Sequence, residues 1–144
     1  MKLSKAGEDF IKGFEALRLK AYRDQGGLPT IGWGHTRDVR MGQVIDKAKA
    51  EILFQQDLKP FEQVVNDIVK RSKVPVTQGM YDAMVALAFN IGTQGFAGSS
   101  VAQRLVRGDK AGAAEAFLLW DKVKGHTSKG LQNRRRAERK MFLS

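Results

Sequence analysis

The stretch "QGMYDAMVALAFNIG", residues 78–92, constrains this chain more than any other. Met80, Met84, Leu87, Ala88 and Ile91 mark one helical face, while Val85 and Phe89 fill others. A helix so nearly apolar all round must sit inside a core, and that core needs further helices to cover it. Thr77 supplies an N-cap and Gly92 a C-terminal stop. A chain of 144 residues suffices for one domain built this way and falls short of two ordinary ones.

The flanking segments supply the cover. Ser4 caps a first helix with Phe10, Ile11, Phe14 and Leu17 as its inward stripe. The period then changes: Leu17, Leu19 and Ala21 alternate with Arg18, Lys20, Tyr22 and Asp24, and the turn "DQGG" leads into "TIGWG", which predicts a β-hairpin. From residue 46 to about 73 the pattern is helical around Pro60, which starts a new helix or kinks a long one. Ser99 or Ser100 opens a helix to about Arg107, Asp109 caps one to Trp120, and a last helix spans about 129–142. The order predicts an α+β, mostly helical fold: a small N-terminal hairpin lobe, about residues 13–45, joined to a helical lobe, about 46–144, that packs with the N-terminal helix.

If Gly26 centres the hairpin turn, Thr30 lies opposite Tyr22. Alternation then places Tyr22, Asp24 and Thr30 on an open face, and Leu19, Ala21, Ile31 and Trp33 on a buried apolar one. Gly32 and Gly34 leave room for a bulky ligand beside the backbone. Glu15 ends the first helix just before the hairpin. Each polar residue also has a structural reading: Asp before Gly-Gly makes turns, a helix-end Glu is solvated, and Thr favours strands.

The formal charge of +10 attracts polyanions, whether nucleic acid, anionic lipid or an acidic wall polymer. Residues 122–144 hold eight Lys or Arg against the single acid Glu138, so most of the field comes from one end. The basic cluster has almost no interleaved aromatics, so nucleic acid is not expected as a partner. The absence of cysteine excludes disulfides, thiol catalysis and Cys metal sites, and His35 and His126 are too few for a His-rich zinc site. No metal or cofactor is expected. Gly32 and Gly34 are followed by Arg37 where a dinucleotide fingerprint needs glycine. No run approaches the roughly 18 apolar residues of a membrane span, and the first residues lack a signal-peptide core, so neither is expected.

Glu15, Asp24 and Thr30, followed by "IGWGHT", resemble the catalytic signature of the phage lysozyme (endolysin) family of glycoside hydrolases. The resemblance continues in "ALAFNIG" at 86–92, in Phe96 and Ser99 of "FAGSS", in Trp120 and in "GLQNRRRAE" at 130–138, so it covers essentially the whole chain. It implies a lysozyme-like fold with the active-site cleft between the two lobes. It also implies a muramidase that hydrolyses the β-1,4 bond between N-acetylmuramic acid and N-acetylglucosamine in peptidoglycan and so lyses the host.

Glycoside hydrolysis needs an acid at the leaving oxygen and a second group that activates water or stabilises the cationic sugar. The resemblance gives Glu15 the acid role, makes Asp24 the base or electrostatic partner, and has Thr30 orient the water. Inversion is implied, with carboxyl groups roughly 6.5–9.5 Å apart. It further places His35, Phe89, Asn90 and Ser99 as substrate-binding residues. Their structural alternatives are hydrogen bonding for His35, core packing for Phe89, and helix-end capping for Asn90 and Ser99. On the last helix Leu131, Arg135, Glu138 and Phe142 share a face, so Arg135 and Glu138 form a charged pair within an apolar stripe.

Such a protein is expected to act as a monomer, to accumulate in the host cytoplasm and to reach the wall after a separate holin opens the inner membrane. Arg134, Arg136, Arg139 and Lys140, beside Met141, Phe142 and Leu143, could also press on anionic outer-membrane lipid. Three alternatives stand: a lytic transglycosylase, which needs one acid and no water; a chitinase-like enzyme; and a basic polyanion-binding module. A functional Asp24 argues for hydrolysis.

Overall fold

Short polar side chains start nearly every helix of the computed structural model, which describes residues 1–144. The Ser4 hydroxyl accepts the Gly7 N–H at 3.0 Å to open α1 (Lys5–Glu15), and Asp46 accepts the Lys49 N–H at 2.8 Å to open α2 (Lys47–Arg71). Thr77 does the same for α3 (Gln78–Ile91), Ser99 for α5 (Ser100–Val106), Asp109 for α6 (Lys110–Ala116) and Ser128 for α7 (Lys129–Leu143). The short α4 (Thr93–Ala97) follows Gly92, and a 3-10 turn at Phe117–Leu119 follows α6. Strands β1 (Arg18–Arg23) and β2 (Pro29–Gly32) form an antiparallel hairpin, as do β3 (Lys122–Val123) and β4 (His126–Thr127). The class is α+β and mostly helical, as expected.

The chain divides into two compact units, one of Met1–Gly7 with Pro60–Ser144 and one of Glu8–Lys59. In the first, every residue of α3 from Met80 to Ala88 is buried, as its all-round apolar pattern requires. Val101, Ala102 and Leu105 of α5, Ala113, Ala114 and Ala116 of α6, and Phe142 of α7 are buried too. Phe142 meets Phe117 at 5.2 Å between ring centroids. The first residues add a polar patch: the Tyr81 hydroxyl donates to the Met1 carbonyl at 3.0 Å, Asn66 donates to that carbonyl and to Tyr81, and Ser4 donates to the buried Asp82.

The second unit has a core of Ala21, Ile31 and Leu53, lined by Val39 and Ile45. Tyr22 pairs with Thr30, the register expected from the turn. On its other side β1 pairs with the segment before α2, where Ala21 donates to Gln43 and Leu19 accepts from Ile45, each at 2.9 Å.

Several expectations give way to local geometry. Phe14 is 44% exposed, so the inward stripe ends at Ile11, and Ala16 at φ 53 stops α1 directly after Glu15 and takes Leu17 out of the helix. Leu19, expected inside, is exposed: the strand register is irregular between Arg18 and Tyr22, which breaks the alternation. Thr30 is buried rather than on an open face. Helix α2 runs through Pro60 without a break, and the helix after Asp109 tightens into the 3-10 turn before Trp120. The sequence reading missed α4 and the second hairpin, whose two-residue turn sets Lys124 and Gly125 at φ 50 and 82.

Tyr81 makes the helical unit sensitive to alkali. Burial, and then the Glu62 carboxylate, push its phenol from 10.0 up to about 12, against the Asn66 hydrogen bond. A pKa raised in the folded state gives stability that is complete below pH 10 and is lost as pH rises toward 12. Denaturant unfolding should therefore show wild type losing stability across that window more steeply than Tyr81→Phe, which should cost about 1–2 kcal/mol at neutral pH. Parallel pH curves for the two proteins would refute this.

Candidate active site

Glu15 is the last residue of α1 and is half-buried. Its carboxylate rests on the backbone of Gly34, where a Cβ would meet Oε2 at 3.1 Å. Gly34 also stands at φ 80, a conformation that other residues adopt only under strain. The close approach and the left-handed backbone both call for glycine in "GWGH".

Asp24 performs the turn role and keeps half of its carboxylate for other use. Its Oδ1 accepts the N–H groups of Gly26 at 2.9 Å and Leu28 at 2.8 Å, which closes the loop between β1 and β2. Oδ2 makes no such bond, and the residue is exposed. The loop also holds Asp24 through its backbone, by the Asp24 N–H to Leu28 and the Gly27 N–H to Asp24. The base candidate is thus fixed by four hydrogen bonds while one oxygen faces outward.

Thr30 lies across from Tyr22 and is 3% exposed. Its hydroxyl donates to the Leu28 carbonyl at 2.9 Å, so its oxygen keeps only acceptor capacity. Thr30 and Asp24 are thereby joined through the same residue of the loop.

His35 is buried beyond β2. Nδ1 lies 2.8 and 3.0 Å from the two Asp57 carboxylate oxygens, and Nε2 lies 2.8 Å from the Arg37 carbonyl. Both neighbours are acceptors. Nδ1 ties the hairpin exit to α2, and Nε2 ties it to the carbonyl two residues on. The sequence reading missed Asp57, although Phe54, Asp57, Leu58 and Phe61 share a helical face on which a lone carboxylate asks for a partner.

The remaining candidates belong to the other unit. Phe89 is partly buried against Phe61 at 5.2 Å. The Ser99 hydroxyl donates to the Phe96 carbonyl at 2.7 Å and accepts the Ala102 N–H, so it caps α5 and is buried there. Asn90 is exposed but offers its side-chain oxygen to Arg135. Arg135 and Glu138 are fully buried and meet at 2.7 Å. Arg134, grouped with the surface cations in the sequence, is buried as well: Nε reaches Glu138 at 3.0 Å and a terminal nitrogen donates to the Ala86 carbonyl of α3.

Burial pushes the Glu138 carboxyl up and the Arg135 guanidinium down from their ordinary values, and their mutual attraction opposes both shifts. Glu138 accepts from both guanidiniums. The Glu138→Ala substitution should remove the carboxylate to which both buried guanidiniums donate and cost about 3–5 kcal/mol of stability, read by denaturant unfolding. A loss below about 1 kcal/mol would show that water reaches the pair.

No group of three or more His, Cys, Asp or Glu side chains is placed to hold a metal ion. The family model described as phage lysozyme matches residues 12–138. The endolysin of Salmonella phage P22 is 42% identical over 149 residues, covering all of this chain and 99% of that one. Among solved structures, an endolysin from Escherichia coli O157:H7 phage FAHEc1 matches with TM-score 0.89 and 42% identity, covering all of this chain and 94% of that one. The muramidase domain of SpmX from Asticaccaulis excentricus matches with TM-score 0.89 and 35% identity, covering 99% and 98% of the two chains.

Proposed function

Because the chain belongs to the phage lysozyme family, we propose that it cleaves the β-1,4 bond between N-acetylmuramic acid and N-acetylglucosamine with Glu15 as general acid and Asp24 as general base. It is an endolysin, a lysozyme-type glycoside hydrolase that acts on peptidoglycan. The observation that carries the assignment is the divided carboxylate of Asp24, with one oxygen building the loop and the other open on an exposed turn.

In this mechanism Glu15 gives its proton to the leaving glycosidic oxygen as the bond to the anomeric carbon breaks. A water attacks that carbon and passes one proton to Asp24 Oδ2. Its other hydrogen points at Thr30 Oγ1, which must accept because its own hydrogen goes to Leu28. The product has a reducing N-acetylmuramic end with inverted configuration. His35, Phe89, Asn90 and Ser99 support substrate binding in this reading by fixing backbone and helix ends, since both His35 nitrogens, the Ser99 hydroxyl and the Asn90 oxygen have internal partners.

Glu15→Gln should lower the clearing rate on purified peptidoglycan at least about 100-fold, as should Asp24→Asn. Mass analysis should find reducing muramic ends, whereas anhydro-muramic ends with an active Asp24→Asn protein would establish a transglycosylase instead.

No helix is long and apolar enough to cross a membrane. We infer from the family that access to the wall depends on a separate holin that opens the inner membrane. Lys129, Arg136 and Lys140 are exposed on α7, near the exposed Leu143, and suit an anionic outer-membrane surface. Replacing these three cations with Gln should slow lysis of intact outer-membrane cells more than clearing of purified wall. Equal slowing in both assays would exclude a membrane role.

A further inference from the structure

Lys12 stands one helical turn before Glu15 on α1, and its ammonium is held on three sides. It lies 4.4 Å from the Trp33 ring centroid, 5.0 Å from the Phe54 ring centroid and 2.5 Å from the Glu51 carboxylate. Trp33 and Phe54 themselves meet edge to face at 5.8 Å. A cation lodged between two aromatic faces and a carboxylate is a directional contact, because each partner fixes a different side of it. The Lys12 side chain is 17% exposed, so its charge is largely shielded from competing water.

The placement of this contact gives it a catalytic consequence. Trp33 directly precedes Gly34, the residue on whose backbone the Glu15 carboxylate rests. The last turn of α1 thus meets the exit of β2 at two successive points, Lys12 on Trp33 and Glu15 on Gly34. The Lys12 carbonyl also accepts the Ala16 N–H at 3.1 Å, closing the helix where Ala16 turns left-handed. Helix ends fray readily and a general acid tolerates little displacement, so a clamp one turn before Glu15 bears on where its carboxylate reaches.

We propose that Lys12 is a positioning residue for the hydrolysis, setting the reach of Glu15 through its clamp on Trp33, Phe54 and Glu51. The proposal rests on the reading of Glu15 as general acid. The ammonium touches no substrate in this role. Its effect falls on turnover rather than on binding, because it fixes the acid and not the sugar.

The test compares wild type, Lys12→Met, Lys12→Arg, Glu51→Gln and Glu15→Gln on purified peptidoglycan, with folding checked by circular dichroism and thermal melting. Lys12→Met keeps the aliphatic stem and removes the charge. Its kcat should fall about 10- to 100-fold with KM unchanged at a temperature well below its melting point. Lys12→Arg keeps a cation over the rings and should restore most of the rate. If Lys12→Met fails to fold, Glu51→Gln reads the same clamp, with a fall in kcat of about threefold. An inactive Glu15→Gln beside a folded Lys12→Met, or a Glu51→Gln, of wild-type kcat would overturn the positioning role alone. An active Glu15→Gln would overturn the acid assignment and the positioning role with it. A Lys12→Met protein whose losses lie in KM would also overturn the proposal.

Discussion

A buried carboxylate between two guanidiniums sets the terms for the larger unit. Glu138 lies on α7 with Arg134 and Arg135, and none of the three has more than slight access to water. Taking such charges out of water is expensive, and only close, well-aligned partners offset the cost. The partners come from two helices: Glu138 itself, the Ala86 carbonyl at the middle of α3, and the Asn90 side chain near its end. An apolar contact between α3 and α7 would tolerate some sliding. A guanidinium aimed at one carbonyl does not, because a shift of one residue would leave both a donor and a charge unsatisfied. Arg135 Nε is left without a partner, so the network specifies alignment more than it adds stability.

The smaller unit solves a different problem, which is to hold a carboxylate still without using it up. Turn-forming aspartates ordinarily spend their oxygens on the backbone. Asp24 spends one, and the loop it closes fixes the direction of the other. Leu28 links the loop to Thr30, since its N–H goes to Asp24 and its carbonyl accepts from the threonine hydroxyl. The structural and the chemical readings of these residues, competitors when only the sequence is considered, are compatible in the proposed mechanism, because they call on different atoms of the same side chains.

What was legible in the chain followed from strong local signals. The buried character of α3, the capping residues Ser4, Thr77, Ser99 and Asp109, and the pairing of Tyr22 with Thr30 each rest on a pattern within a few positions. The Arg135–Glu138 pair was legible because charge on an apolar stripe must be compensated. What was not legible depends on chain reversals and on partners distant in sequence. A left-handed Ala16 ends α1 and takes Leu17 off its stripe, yet alanine carries no signal for that conformation. Asp57 is far from His35, and Arg134 reads as a surface cation until its carbonyl partner on α3 is known. The Lys-Gly turn of the second hairpin lacks the Asn-Gly or Asp-Gly dipeptide that announces such turns.

That second hairpin, β3 with β4, has every residue from 122 to 127 exposed, and its strands are two residues each. A two-stranded ribbon with no apolar face against a core is marginal in water, so its backbone bonds open at far lower free energy than those of α3. Little of the fold's stability depends on its length or composition. Across evolution, or in the laboratory, the turn at Lys124 and Gly125 is accordingly where this chain can accept added residues, or a grafted wall-targeting peptide, while the helices on either side keep their packing.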